Sequence, residues 1–401
     1  MKNGKLVTAT IADIHIGKKS AERLRKELEE GFLKYIEDEK DNLDLVTIAG
    51  DYFDRIIRFN EPAGVLALDT LDRIIETAKN GHFLVRIIQG TKSHDNNQLD
   101  VFNSYEETYP DILKIITKVT KETINLKGHE LKVLYLPEEY PTDPDSYYQD
   151  YFSDHYDLIY GHGMTDIVGF SFSDWKDEGA NISFGTPVHN TDKLLELSSG
   201  PVMFGHIHNK KSYKDKFYYT GSYSRYAFDS QEPKGWLVAE INPDDTSDYT
   251  VEFKENKLAP TYGIIEVDSL PLDEGTDLLE LLKTMSSMYD YSKIISSDDN
   301  KLKIIRQLSE GSNDIKVQTS KKIETERVDE KFNFILENKL STAETVKRYL
   351  EVTDEVEPED IPPLDVIDMI INPNKDFDYS DVLEHLKTKK ETEWRWRGDY
   401  R

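Results

Sequence analysis

The sequence predicts an α/β fold: a two-sheet sandwich flanked by helices, followed by a small α+β domain and C-terminal helices. Three observations carry this expectation. Short β-branched apolar runs alternate with longer amphipathic stretches through the first half, clusters of Asp, His and Gly recur where those runs end, and the chain turns β-rich after Gly205. The strand candidates are Leu6–Ile11, Leu43–Ala49, Phe83–Ile88, Leu131–Leu136, Leu158–Tyr160 and Val202–Phe204. Between them, Ser20–Glu37 carries Leu24, Leu28, Phe32 and Ile36 at helical spacing. Ala63–Lys79 does the same with Leu66, Leu68, Leu71, Ile74 and Ile75. Phe217–Thr220, Trp236–Ile241 and Tyr249–Phe253 add strands, so residues 1–259 read as one domain. A strand at Gly263–Val267, a helix at Thr276–Met288 and an extended run at Lys301–Arg306 predict the α+β domain over 260–326. Residues 327–401 hold helical stretches at Val328–Leu340 and Thr342–Glu351. An acidic linker, Glu351–Pro363, and amphipathic segments at Leu364–Ile371 and Tyr379–Lys389 follow.

Composition narrows the function classes. Of 401 residues, 50 are Lys or Arg and 77 are Asp or Glu, a formal charge of −27 that argues against nucleic-acid binding by bulk positive charge. The absence of cysteine excludes disulfides, thiolate metal sites and cysteine nucleophiles, and fits a reducing cytoplasm. Any transition-metal site must therefore be built from His, Asp, Glu and Asn. No apolar run approaches the roughly 20 residues that span a bilayer. The first residues lack a signal-peptide layout, so a soluble, cytoplasmic protein with no membrane partner is expected.

The informative residues sit where the predicted strands end. Asp13-Ile14-His15 follows the first, Gly50-Asp51-Tyr52-Phe53-Asp54 the second, and Gly90-Thr91-Lys92-Ser93-His94-Asp95 the third. Gly161-His162-Gly163 and Gly205-His206-Ile207-His208 close two more. In Asp-Ile-His and His-Ile-His, the i, i+2 spacing puts both polar side chains on one face of an extended segment. Carboxylates and imidazoles converging from several strand ends suit Mn²⁺, Fe²⁺ or Zn²⁺. Six or more such groups are too many for one ion, and a carboxylate such as Asp51 can bridge two ions about 3.5–4 Å apart, as in two-metal phosphoesterases. His82, His129, His155, His189 and His385 lie outside the clusters and read as structural or surface residues.

This ordered set of loops, over roughly Thr8 to Tyr226, resembles the calcineurin-like metallophosphoesterases, and more narrowly the SbcD-type (Mre-eleven-like) nuclease branch. Gly221-Ser222-Tyr223-Ser224-Arg225-Tyr226, followed by Lys234-Gly235-Trp236, is similar to the segment after GHxH in that branch. The resemblance implies one metal held by Asp13, His15, Asp51 and His208, and a second by Asp51, His162, His206 and the residue before His94. Family members usually have Asn there. Here the loop is longer by two residues and Ser93 falls in the slot. His94 and Asp54 are implied as catalytic, although a turn or cap role is the alternative for Asp54, and Ser222 and Arg225 as substrate-binding. The implied cofactor is two Mn²⁺, with Mg²⁺, Fe²⁺ or Zn²⁺ as substitutes. The implied activity is 3′→5′ exonuclease and endonuclease cleavage of DNA ends and single strands in recombination, repair or replication. A homodimer and an SbcC-type ATPase bound by the C-terminal helices are the implied partners, and the 260–326 domain would cap the DNA path; the alternatives are that those helices finish the chain's own core and that the domain is an ordinary accessory one. Two alternatives stay open: a phosphatase or small-molecule phosphodiesterase sharing the same loops, and a DNA-end-docking scaffold weakened by Ser93.

Overall fold

The computed structural model describes residues 4–168, 188–228, 232–271, 277–309, 314–319 and 347. The chain divides into Met1–Ser320 and Lys321–Arg401. The C-terminal helices, the acidic linker and the closing amphipathic segments expected from the sequence lie outside the described residues, apart from Lys347.

The described elements begin with β1 (Leu6–Ile11), α1 (Ala21–Glu30), α2 (Phe32–Asp38), β2 (Leu45–Ala49), α3 (Pro62–Gly81), β3 (Leu84–Ile88), α4 (Asn103–Thr108) and β4 (Leu113–Ile116). They continue with β5 (Thr120–Leu126), β6 (His129–Leu136), α5 (Pro144–Tyr148), β7 (Leu158–His162), β8 (Met164–Thr165), β9 (Val188–His189), α6 (Thr191–Leu197) and β10 (Val202–Gly205). Next come β11 (Lys211–Tyr213), β12 (Phe217–Tyr219), β13 (Gly235–Asn242) and β14 (Asp245–Glu255). The α+β region holds β15 (Tyr262–Glu266), α7 (Leu278–Ser286), β16 (Tyr291–Ser296), α8 (Asp299–Ser309) and β17 (Ile315–Thr319).

Two six-stranded mixed sheets result, in the orders β14-β13-β1-β2-β3-β4 and β11-β12-β10-β7-β6-β5. Strands β1 to β4 run parallel in one, and β6, β7, β10 and β12 in the other. Strand alternation builds the layers. Leu6, Leu45, Val133, Tyr135 and Tyr160 join one buried cluster with residues of both sheets. Their neighbours Val7, Val46 and Ile48 point to the layer of α1, α2 and α3, while Leu134 and Ile159 pack with Leu194 of α6. The two-sheet sandwich flanked by helices is therefore the fold.

The helix expected over Ser20–Glu37 is split. Ser20 caps its start, accepting from the Arg23 N–H at 3.3 Å. Gly31 interrupts it because the buried Tyr223 hydroxyl comes so close that an added Cβ would meet it at 2.6 Å. The run Lys301–Arg306, expected to be extended, is helical within α8. Leu302 and Ile305, three residues apart, are the buried pair of that helix, a helical spacing masked by the β-branched Ile304-Ile305. The extended elements are instead β16 and β17, and β16 pairs in parallel with both β15 and β17 in the order β15-β16-β17.

His189 is a buried ring packed against Tyr148, Phe152 and Phe204, with centroids 5.3, 6.3 and 6.3 Å away. Burial pushes it down to about 4 from an ordinary value of 6.5, against a small opposing pull from Glu138. The unfolded chain therefore binds this proton more readily between those values. The stabilisation is complete above pH 6.5 and is lost as pH falls toward 4, in all about 3 kcal/mol. Denaturant melts from pH 7 to 4 should show this acid limb, and His189→Phe should flatten it.

Candidate metal centre

The centre forms where the parallel strands of both sheets end. Beyond β1 and β2 the chains stay zipped: the N–H groups of Asp13, His15 and Ile16 donate to the carbonyls of Gly50, Asp51 and Tyr52 at 3.1, 3.0 and 2.9 Å. Asp13, His15, Asp51 and His206 adopt φ of 51°, 48°, 51° and 95°. These left-handed conformations cost a non-glycine residue about 1–3 kcal/mol each, so the surrounding loops must hold them. Gly50, at φ 83°, admits the neighbouring strand end: a Cβ there would lie 2.1 Å from His162 Nδ1. Gly50→Ala should displace that ring and weaken uptake of a divalent metal ion at least tenfold in a calorimetric titration.

Two groups of donor atoms result, buried apart from the half-buried His208, and Asp51 lies between them. In the first, the Nε2 atoms of His15 and His208 face each other at 2.9 Å. Asp13 Oδ1 lies 3.9 Å from each, and Asp51 Oδ2 lies 3.9 Å from His15. In the second, Asp51 Oδ1 is 3.4 Å from His162 Nε2, and Glu138 Oε2 is 3.1 Å from His206 Nδ1 and 3.7 Å from His162 Nε2. Ligands bound at about 2.0–2.2 Å to one ion stand some 3–3.5 Å apart. The donor set, carboxylate and imidazole with no sulfur, fits divalent Mn, Fe or Zn. These buried His, Asp and Glu groups could hold a metal ion.

Supporting bonds aim the donors. The Ala49 carbonyl can only accept, so His162 Nδ1 donates in their 2.8 Å bond and Nε2 is the nitrogen turned toward the second group. The Asp13 carboxylate accepts from the His206 N–H at 3.0 and 3.2 Å, tying the first loop to the last. Asp95 accepts from the N–H groups of Gly90, Phe53 and Asp51 at 2.7, 3.0 and 3.1 Å, which braces the second loop against the third.

The electrostatics favour a cation. Burial raises Asp13 to about 6 and lowers His15 to about 4. Burial also opposes ionisation of Asp51 and Glu138. The imidazoles, chiefly His162 beside Asp51 and His206 beside Glu138, outweigh it and hold both carboxyls below the usual range. For His162, burial opposes the charged ring, yet Asp51, Asp13 and Glu138 prevail and lift it to about 10. A divalent ion is the stronger counter-charge for such a set.

Asp13, His15, Asp51, His162, His206 and His208 come together as expected. Ser93 does not: it is exposed, because the N–H groups of His94 and Asp95 turn back onto the Thr91 carbonyl at 2.9 and 3.0 Å and push Lys92 and Ser93 outward. Thr91 occupies the inner position instead. Its hydroxyl lies 3.0 Å from Glu138 Oε2, 3.3 Å from Asp51 Oδ2 and His206 Nδ1, and 3.4 Å from His162 Nε2. Ser222 is not a surface contact either. It is buried and donates its hydroxyl to the Ser224 carbonyl, while its N–H holds the His208 carbonyl. Arg225 donates to the Ala259 carbonyl at 3.2 Å, at the joint with the three-stranded region.

His94 is buried beside the shared carboxylate, its Nε2 4.0 Å from Asp51 Oδ2 and its ring edge-on to His15 at 4.7 Å. Its Nδ1 donates to the Asp54 carbonyl, which fixes the tautomer and leaves Nε2 facing the centre. The Asp54 carboxylate lies 3.6 Å from His15 Nδ1 and 3.1 Å from Lys18 Nζ. Sequence reasoning missed Thr91, Glu138 and Tyr226. Tyr226 donates to the Ile14 carbonyl, and its ring stands 5.4 Å from that of His15. The missed signal for Glu138 was its place just after a strand end, like every other cluster.

No family model matches the chain, and no curated protein matches it. One similar solved structure shares 11% identity over 63% of this chain and all of its own, at a TM-score of 0.34, too distant to bear on function. Among the described residues, no helix is long and apolar enough to cross a membrane.

Proposed function

We propose that this protein is a two-metal phosphodiesterase acting on DNA, a Mn²⁺-dependent exonuclease and endonuclease of the SbcD type that works with an SbcC-type ATPase. One observation carries the reading: Asp51 lies between two clusters of donor atoms, Oδ2 toward His15 and Oδ1 toward His162, with His94 beside it. Bound divalent ions would supply charge for the phosphate and acidify a water. Asp13, His15, Asp51 and His208 would hold one ion, and Asp51, His162 and His206 the other. With both ring nitrogens protonated, His94 would give the Nε2 proton to the leaving 3′ oxygen, while the Asp54 carbonyl holds the ring through Nδ1–H.

The choice of nucleic acid over a small phosphoester is supported by a cleft of about 530 Å³ beside the centre, between the sandwich and the three-stranded region. Lys18, Lys293 and Lys316 line it with Tyr226 and Phe228, while the Lys19 ammonium in its wall is buried in an ion pair with Glu27 at 2.9 Å. Lysines track a phosphate backbone and aromatic rings stack on bases, the combination used for single strands. In a chain of charge −27 it is a local exception to the acidic balance. Lys293→Glu combined with Lys316→Glu should weaken oligonucleotide binding about tenfold or more and lower the salt slope by about two. An anisotropy titration over a salt series checks both.

Incubating end-labelled linear DNA and a nitrophenyl phosphate monoester with the protein and Mn²⁺ tests the function. Cleavage of the DNA that EDTA abolishes is expected. Turnover of the monoester alone would point to a phosphatase, and two bound ions without turnover of either would point to a docking scaffold.

A further inference from the structure

The second donor group contains a carboxylate that the sequence did not announce. Glu138 follows β6 and is anchored by its N–H on the Gln89 carbonyl at 3.3 Å, so it enters from the sheet opposite the Asp51 loop. One oxygen, Oε2, faces His206 Nδ1, His162 Nε2 and the Thr91 hydroxyl at 3.1, 3.7 and 3.0 Å. The other accepts from the Tyr140 hydroxyl. Glu138 is 3% exposed. A carboxylate buried this deeply, with its inner oxygen converging on two imidazole nitrogens and a hydroxyl, is placed as a ligand is placed.

We propose that Glu138 is a ligand of the second ion, with the Thr91 hydroxyl beside it, and that Tyr140 is the residue that positions its carboxylate. The inference rests on the two-metal reading above. It has a consequence for substrate class. Asp13, Asp51 and Glu138 set three negative charges against two divalent ions, leaving the donor groups near +1. That charge matches a phosphodiester, which carries one negative charge, better than a monoester, which carries up to two.

The test is Mn²⁺ titration of the full chain by calorimetry and electron paramagnetic resonance. Wild type should take up two ions with an exchange-coupled spectrum. Glu138→Gln should bind the second ion about 10²-fold more weakly and lose the coupled spectrum. Tyr140→Phe should weaken it by about tenfold. Glu139→Gln should change nothing, because that side chain accepts from Val119 N–H and the Tyr147 hydroxyl instead. Glu138→Asp keeps the charge but withdraws the carboxylate, and should fall between wild type and Glu138→Gln. The preference for a nitrophenyl diester over the monoester should shrink about tenfold in Glu138→Gln. Two ions held with wild-type affinity by Glu138→Gln would overturn the ligand assignment, and an unchanged preference would overturn the charge match. A wild type that binds a single ion, with no coupled spectrum, would instead remove the two-metal reading beneath them.

Discussion

Asp51→Asn should abolish cleavage and strip both ions. The two oxygens of Asp51 serve different groups. Oδ1 faces His162 Nε2 and accepts from the Thr91 N–H at 2.6 Å, and Oδ2 faces His15 and His94. An asparagine keeps the shape but removes the charge that both groups share. It also turns an NH₂ toward one of them, and an amide nitrogen has no lone pair to offer a cation. Transition-state stabilisation by a metal is worth several kcal/mol, so cleavage should fall by 10³-fold or more. Plasma emission analysis of the dialysed variant should find less than one Mn per chain. Full metal content with full cleavage would mean that Asp51 bridges nothing.

His94→Ala should leave both ions in place and slow DNA cleavage by about 10²–10⁴-fold, the range for one positioned acid. The histidine lies against the centre, with Nε2 4.0 Å from Asp51 Oδ2, yet its other nitrogen is committed to the Asp54 carbonyl. A role as proton donor separates from a structural role through the leaving group. A 3′ alkoxide needs a proton, whereas nitrophenolate leaves without one. The variant should therefore lose far less on a nitrophenyl diester than on DNA. Equal losses on both substrates, or loss of an ion, would make His94 a structural residue or a ligand.

Much of this was legible in the sequence because parallel strands declare themselves twice, by a β-branched run and by the polar cluster at its end. The i, i+2 spacing and the strand ends marked Asp13, His15, Asp51, His162, His206 and His208 as candidates, and the resemblance to a known family sorted them into ligand sets. The third loop was less legible. Its two additional residues can be accommodated before or after the inner position, and backbone bonds to the Thr91 carbonyl, which no pattern announces, decide for Thr91 over Ser93. Glu138 was hidden for another reason: one carboxylate after a strand looks like any solvated turn. Only the pairing of β6 with β7 carries it to His162. Arg225 and Ser222, expected beside the substrate, also donate to the backbone of the loop and of the joint behind it, contacts that no sequence pattern announces.

The charge of −27 also takes a more specific meaning. Acidic residues dominate the chain, while Lys18, Lys293 and Lys316 line one cleft with Tyr226, whose ring stands 5.4 Å from that of His15. Binding of DNA by the metal-free chain should accordingly be weak and steeply salt-dependent.

The most direct test of the central claim is anomalous diffraction at the manganese edge from crystals soaked in Mn²⁺. The account predicts two peaks about 3.5–4 Å apart, one on each side of the Asp51 carboxylate. A single peak, or peaks away from Asp51, would contradict it.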